Sequence, residues 1–283
     1  MTGVVDVGGG LRGIYGAGVL DYCLEHGIQF DYCIGVSAGS ANLASYLGKQ
    51  KGRNYRFYTK YASRRQYMGI RNLFSTGSYL GLDYIYGQLS QSGGEDPLDF
   101  KELENSKSVM KVVALNALTG KAVYFDKSDM RQDQYDILKA SSCLPLACRP
   151  YWIDGIPYYD GGLADPVPLK KAFEDGCEKA VVILSKPLNF VRTQKKDIRA
   201  ARLLGRKYPK AAESLLDRYR KYNDGVAFAR ESEKAGRALL IAPASTCGLK
   251  TLTKNKILLD RMYREGYSDA AALNGFLKSG NFS

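Results

Sequence analysis

Strand-length apolar runs alternate along this chain with helix-length amphipathic stretches, and this alternation constrains the fold more than any other feature of the sequence. An apolar run at residues 4–7 precedes a helical pattern over 13–26, and a second run at 32–36 precedes another at 38–48. Elements in this order are typical of a sheet that is flanked by helices. The sequence therefore predicts an α/β fold.

The rest of the chain continues this pattern. Residues 50–100 are rich in tyrosine and arginine and predict an excursion of short helices and loops that covers a site. Paired strands are expected at 109–117 with 121–125, and at 151–153 with 156–159 around an Asp-Gly turn. Further elements are expected as a helix at 134–142, a helix at 168–175, a strand at 180–184, a basic helical region to about 232, a strand at 238–242 and two C-terminal helices. No composition break divides the chain, so we expect one domain over 1–283.

A serine stands in a motif that favours a nucleophile. In "CIGVSAGSANL", Ser37 lies between Gly35 and Gly39 in a G-x-S-x-G pattern. The chain contains 30 glycines, so the pattern alone is weak, but here it follows a predicted strand and opens a predicted helix. That order is the one of a nucleophile elbow, which projects the hydroxyl beside free N–H groups of the helix.

A glycine-rich loop follows the first predicted strand. Gly8, Gly10 and Gly13 fit the G-x-G-x-x-G pattern of dinucleotide-binding proteins. Such proteins place an acidic residue at the end of the second strand, where this chain has Val36 and Ser37 instead. The alternative is an oxyanion hole, in which N–H groups of the loop stabilise an intermediate on Ser37.

The group that takes the proton of Ser37 is not expected to be a histidine. His26, the one histidine of the sequence, is predicted at the end of the first helix, away from Ser37, where it caps carbonyl groups. No lysine stands three residues after the serine, so a carboxylate remains. Asp154 and Asp165 are explained by turns. Asp160 follows a strand and precedes two glycines, so spacing favours it.

Four motifs together resemble those of the patatin-like phospholipase family, and they occur in the order of that family. They are "GGGLRG" at 8–13, "GVSAG" at 35–39, "ASSCLPLACRP" at 140–150 and "DGG" at 160–162. The resemblance covers about residues 3–185 and leaves 186–283, the C-terminal strand and helices, without a family motif. It implies a three-layer α/β/α sandwich with a mostly parallel central sheet, and lipid acyl hydrolase activity.

The resemblance also implies the roles of individual residues. Ser37 matches the nucleophile and Asp160 the base of a Ser-Asp dyad. The matching oxyanion loop comprises Gly8, Gly9, Gly10, Arg12 and Gly13. The expected reaction forms an acyl-enzyme that water hydrolyses, and it requires neither a metal ion nor a cofactor. The expected substrate is a phospholipid or another acyl ester.

The charge distribution bears on partners and location. The formal net charge is +12, concentrated in the segments 49–71 and 192–221. These segments suit an anionic membrane surface, whereas a solvated helix face is the simpler interpretation. No nucleic-acid motif accompanies them, so nucleic-acid binding is not expected. With no leader and no transmembrane run in the sequence, we expect a cytoplasmic protein with peripheral membrane contact.

Two other functions are compatible with the same residues. One is a soluble carboxylesterase or thioesterase that uses the same dyad. The other is a protein that binds acyl lipids without catalysis.

Overall fold

A mixed sheet of eight strands forms the centre of the computed structural model, which describes residues 1–278. The strands are β1 (Thr2–Asp6), β2 (Tyr32–Val36), β3 (Val109–Asn116), β4 (Ala122–Asp126), β5 (Tyr151–Ile153), β6 (Ile156–Asp160), β7 (Lys179–Ile183) and β8 (Ala238–Ile241). Their order is β5-β6-β3-β2-β1-β7-β8, and β4 pairs with β3. Strands β1, β2, β3, β7 and β8 are parallel, whereas β4 and β6 pair antiparallel with β3. The parallel strands end at one edge, where the two motif-bearing loops meet.

Helices connect and cover the strands. They are α1 (Ile14–Glu25), α2 (Ala38–Leu47), α3 (Arg53–Arg56), α4 (Ile70–Ser75), α5 (Phe100–Asn105), α6 (Asp136–Ser141), α7 (Leu169–Glu174), α8 (Ile198–Leu204), α9 (Pro209–Lys234), α10 (Lys256–Asp269) and α11 (Leu273–Lys278). Between α2 and α5 the chain runs through short helical segments, with π-helical turns at Phe57–Tyr61 and Asp83–Leu89. This confirms the predicted excursion of short helices over the sheet.

The sheet is buried on both faces, which confirms the predicted three-layer α/β/α arrangement. Alternate residues of a strand point to opposite faces. In β1, Val4 belongs to the core that contains α1, α2 and α10, while Val5 belongs to the core that contains α7 and α9. The same alternation occurs in β7 at Val181 and Val182. Burial on both faces explains why these strands are continuously apolar.

Element boundaries differ slightly from those expected. Strand β1 ends at Asp6, since the backbone turns at Gly8 with a positive φ of 61°. A 3-10 turn over Gly10–Gly13 precedes α1. The turn at Asp154 and Gly155, with φ angles of 49° and 75°, is the expected hairpin turn.

The C-terminal helix α10 packs directly on α1. A Cβ atom at Gly18 would lie 2.1 Å from the carbonyl oxygen of Tyr263, and one at Gly266 would lie 2.1 Å from that of Tyr15. Only glycine permits this separation of the two backbones. This contact supports a single domain over 1–283. The single domain stays a prediction, and its last five residues lie outside the described part of the chain.

Candidate active site

Ser37 occupies a strained turn between β2 and α2. Its backbone has φ 56° and ψ −128°, a conformation that non-glycine residues rarely adopt. A Cβ atom at Gly35 would lie 2.5 Å from the Cα of Ser40, and one at Gly39 would lie 2.2 Å from the carbonyl oxygen of Asp6. Both glycines are therefore required by the tight turn. The arrangement is a nucleophile elbow in geometry.

A second serine holds this elbow. The backbone N–H of Ser37 donates to Ser141 Oγ at 2.8 Å, and Ser141 donates to the carbonyl oxygen of Val113 at 2.6 Å. Ser40 Oγ lies 3.1 Å from Ser141 Oγ. Ser141 is buried at the end of α6, and its two hydrogen bonds join the elbow to strand β3. It lies in the third motif, but this contact was not predicted.

The glycine loop lies against the elbow. Gly8, Gly9 and Gly10 all have positive φ angles, of 61°, 118° and 62°. A Cβ atom at Gly8 would lie 2.2 Å from the carbonyl oxygen of Val36, so the loop contacts the backbone just before Ser37. Within residues 1–278, the N–H groups of Gly9 and Gly10 donate to no group outside the loop. Two backbone donors of the loop therefore have no hydrogen-bond acceptor in the described part of the chain.

A buried polar network fixes the two ends of this loop. Asp6 accepts hydrogen bonds from the N–H of Gly8 and from Asn42 Nδ2, both at 2.9 Å. Asn42 Nδ2 also donates to the carbonyl oxygen of Gly13, and Tyr58 OH donates to Asn42 Oδ1. Burial raises the pKa of Asp6 to about 6, despite these donors. The network was not predicted, because its members are separated in the sequence.

Asp160 is the last residue of β6 and is buried. Its Oδ1 accepts the N–H of Gly162 at 2.8 Å, and its own N–H donates to the carbonyl oxygen of Cys143 at 2.9 Å. Strand β6 continues the sheet next to β3, which pairs with β2. Asp160 and Ser37 consequently border one cavity.

The environment of Asp160 suits a proton acceptor. Burial raises the pKa of its carboxyl group, and the Ser37 hydroxyl, the N–H of Gly162 and the charges of Arg218 and Arg192 partly oppose this shift. Asp160 Oδ2 is buried and has no hydrogen-bond partner in the described part of the chain, so this oxygen is available to accept a proton.

The alternative bases considered above have other roles. His26 ends α1, where its Nδ1 lies 2.9 Å from the carbonyl oxygen of Tyr22 and its ring stacks on that tyrosine. Asp154 forms the β5–β6 turn. Asp165 accepts a hydrogen bond from Tyr124 OH at 2.7 Å. None of the three borders a cavity that Ser37 also borders.

Ser37 lies between two cavities of different character. One is narrow, about 80 Å³, and runs beneath the segment 50–100. Its walls include the apolar side chains of Phe57, Met68, Leu80, Ile85 and Leu138. The other measures about 750 Å³, has Asp160 in its wall, and is more polar than the first, with several cationic side chains. The Arg12 side chain faces the second cavity rather than the elbow, and its Nη1 donates to Thr251 Oγ1 at 3.3 Å.

Comparison with known proteins agrees with this geometry. A family model described as patatin-like phospholipase matches residues 7–173. The chain belongs to the patatin-like phospholipase family. Membership supports a lipid hydrolase or esterase kind of enzyme, and the patatin-like segment contains the elbow, the glycine loop and Asp160. A second model, a domain of unknown function (DUF6363), matches residues 208–274, from the start of α9 into α11.

One relative is the uncharacterized protein YjjU of Escherichia coli (strain K12), 30% identical over 213 residues. The match covers 70% of this chain and 56% of the relative, so this chain spans little more than half of the relative's length. In this patatin-like chain, none of the helices within 1–278 has the length and apolar character needed to cross a membrane.

Proposed function

We propose that this protein is a serine lipid acyl hydrolase of the phospholipase A or lysophospholipase type, with Ser37 as nucleophile and Asp160 as general base. The observation that carries the proposal is the position of Ser37 between the narrow apolar cavity and the wide polar one. An ester of a lipid has an acyl chain on one side of its carbonyl and a polar head group on the other. The two cavities match these two parts.

The first half of the proposed reaction forms an acyl-enzyme. Asp160 accepts the proton of the Ser37 hydroxyl while Ser37 Oγ attacks the ester carbonyl, whose electron pair moves onto its oxygen. The N–H groups of Gly9 and Gly10 stabilise this oxyanion, and the N-terminus of α2 contributes a positive dipole. Collapse of the intermediate expels the alcohol, which takes the proton from Asp160.

The second half releases the fatty acid. Asp160 accepts a proton from water, and the resulting nucleophile attacks the acyl carbonyl. The same glycine N–H groups bind the second oxyanion. The Ser37 ester bond then breaks, and the proton returns from Asp160 to Ser37 Oγ. The raised pKa of Asp160 makes it a stronger base than an exposed aspartate.

An activity screen with an active-site probe tests this function. We expect a fluorophosphonate to label Ser37, identified by peptide mass spectrometry, and fatty acid to be released from phospholipid or lysophospholipid. Hydrolysis of monomeric esters alone would instead indicate a soluble carboxylesterase or thioesterase. Absence of both labelling and hydrolysis would indicate a protein that only binds acyl lipids.

Loss of the Ser141 hydroxyl should weaken the elbow. In Ser141→Ala the buried N–H of Ser37 loses its acceptor. A buried donor without a partner costs about 1–3 kcal/mol, so we expect the rate of Ser37 labelling to fall roughly tenfold to a hundredfold. Stopped-time labelling with the fluorophosphonate measures this rate.

Ser232→Ala is the matched control for Ser141→Ala. Ser232 is also buried, but its hydroxyl donates to the carbonyl oxygen of Phe228 within α9. The control should therefore label like the wild-type protein. Equal labelling rates in both variants would contradict a positioning role for Ser141.

The basic segment 49–71 presents little unpaired charge. Six of its eight cations form ion pairs, namely Lys49, Lys51, Arg53, Arg56, Lys60 and Arg64. Their carboxylate partners come from other parts of the chain. Docking of this segment on a membrane would therefore require an interaction other than attraction by net charge. For the segment 192–221, membrane docking stays a prediction.

Helix α4, which begins at the end of the segment 49–71 and extends to Ser75, exposes apolar side chains. Phe74 is 88% exposed and Ile70 is 67% exposed. The chain enters and leaves this region at Met68 and Leu80, which pair with each other and line the narrow cavity. We propose that α4 inserts into a lipid surface beside the entrance for the acyl chain.

Phe74→Ala should reduce activity on membranes more than activity on monomeric esters. Burying a phenylalanine side chain contributes about 1.5–3 kcal/mol, so we expect roughly a tenfold or larger decrease in vesicle binding. Sedimentation with phosphatidylglycerol vesicles measures binding. Val109→Ala, at the start of β3 on the opposite edge of the sheet, removes apolar surface elsewhere and should bind normally. Equal binding by the two variants would count against insertion of α4.

A further inference from the structure

The wide cavity beside Ser37 is lined by an excess of cations. Five basic side chains border it, namely Arg12, Lys186, Arg192, Arg218 and Lys250. Among the described residues, the carboxylates at its walls are Asp160 and Asp197. With about 750 Å³, the cavity has room for a phosphorylated glycerol head group. Its charge therefore favours an anionic ligand.

Arg12 is a buried cation that lacks a carboxylate partner in the described part of the chain. Only 8% of its surface is exposed, and its Nε is buried without a hydrogen-bond acceptor. The one hydrogen bond of its guanidinium, at 3.3 Å, goes to the neutral hydroxyl of Thr251. Burial lowers its pKa to about 10, so it stays charged at neutral pH. An unpaired buried charge is costly unless a ligand compensates it.

Arg192 and Arg218 are held in place by Asp197. Asp197 Oδ1 lies 2.5 Å from Arg218 Nη2, and Oδ2 lies 3.1 Å from Arg192 Nη2. Asn223 fixes the backbone of Arg192 by accepting its N–H at 2.9 Å and donating to its carbonyl oxygen at 3.0 Å. Arg192 Nε is nevertheless buried without an acceptor. Two arginines share one carboxylate, which leaves a net positive charge.

These three arginines are close to one another and to the dyad. All three arginines border the cavity that Ser37 and Asp160 also border. Arg12 comes from the glycine loop, whereas the other two come from the region after residue 186. The cations therefore lie on the side of Ser37 where the alcohol part of a lipid ester would be bound.

We propose that this cavity binds the phosphate of a glycerophospholipid whose head group carries a net negative charge. The guanidinium groups of Arg12, Arg192 and Arg218 donate to the phosphate oxygens, and the scissile ester is thereby placed at Ser37. A zwitterionic head group adds a cation that the cavity does not neutralise. This inference rests on the proposed acyl hydrolase function and specifies its substrate class.

Substrate preference tests the inference. Phosphatidylglycerol and phosphatidylcholine with identical acyl chains are presented at equal mole fraction in neutral detergent micelles. We expect the wild-type protein to show a kcat/KM for phosphatidylglycerol at least about tenfold higher. In Arg192→Gln and Arg218→Gln the ratio of the two kcat/KM values should fall by about tenfold, since each loses a charge-assisted hydrogen bond.

Arg220→Gln is the matched control. Arg220 lies on α9 two residues from Arg218 and also binds an aspartate, Asp217, but it faces solvent. The Arg220→Gln substitution removes the same charge from the protein as the other two variants, without changing the cavity. We expect the substrate ratio to stay at the wild-type value. An equal decrease in Arg220→Gln would attribute the preference to general attraction to the micelle and overturn the proposal.

A second measurement needs no variant. sn-Glycerol 3-phosphate should inhibit wild-type hydrolysis of p-nitrophenyl butyrate competitively, and more strongly than inorganic phosphate. If inorganic phosphate inhibits equally and phosphatidylglycerol is not preferred, the cavity is a site for free phosphate and the lipid assignment is wrong. Equal hydrolysis of both phospholipids without inhibition by either anion would overturn the inference alone. Failure to hydrolyse any ester would overturn the proposed function.

Discussion

Ser37→Ala should abolish fluorophosphonate labelling and lower kcat for phospholipid hydrolysis by at least about a thousandfold. Alanine removes the oxygen on which the acyl-enzyme would form. Release of fatty acid under saturating substrate measures the effect. The elbow and both cavities should persist, so binding of lipid should be retained.

Ser232→Ala serves again as the control, because it removes a buried hydroxyl far from the elbow. Retention of substantial hydrolysis by Ser37→Ala, at a rate above that of denatured protein, would disprove the assignment of the nucleophile. It would also direct attention to Ser185, whose side chain borders the same wide cavity.

Asp160→Asn should likewise lower kcat by about a thousandfold or more, since an amide cannot accept the serine proton. The same substitution should raise the melting temperature at pH 7. Burial raises the pKa of Asp160, so the folded state favours the protonated carboxyl group. Asparagine can still accept the N–H of Gly162 through its carbonyl oxygen. A simultaneous loss of activity and gain of stability would distinguish a functional carboxylate from a structural one.

The size of this stability effect depends on pH. A carboxyl group whose pKa is raised by folding stabilises the protein at low pH, and this contribution is lost as the pH rises through the folded-state pKa. At pH 7 the Asp160 carboxyl group therefore destabilises the fold relative to an uncharged amide, and the difference in melting temperature from Asp160→Asn should vanish below about pH 4, the ordinary aspartate pKa. A pH series of thermal unfolding curves measures it. A lower melting temperature for Asp160→Asn at pH 7 would contradict the expectation.

Local sequence patterns predicted the parts of the site that are built locally. The elbow at Ser37 and the glycine loop each follow from a strand, a few small residues and a helix, all within some fifteen residues. Asp160 was favoured by spacing and by resemblance to the family. Its burial, which gives the carboxylate its basicity, required the sheet pairing of β6 with β3.

Contacts between distant residues were not predictable in this way. The Ser37–Ser141 hydrogen bond joins residues 104 positions apart, and the contact of Arg12 with Thr251 joins residues 239 positions apart. From the sequence, the basic segment 49–71 was interpreted as a concentration of positive charge. Most of its cations are paired, because their carboxylate partners lie outside the segment. Such partners become visible only once the chain is folded.

The contact of the glycine loop with residue 251 has a consequence for exchanging parts between relatives. Leu11 donates its N–H to the carbonyl oxygen of Thr251 at 2.8 Å, and a Cβ atom at Gly10 would lie 2.4 Å from that oxygen. A recombinant hybrid joined after the patatin-like match, at residue 173, would pair this loop with a foreign C-terminal segment. A functional chimera of this protein should therefore inherit residues 8–13 and 245–255 from the same parent.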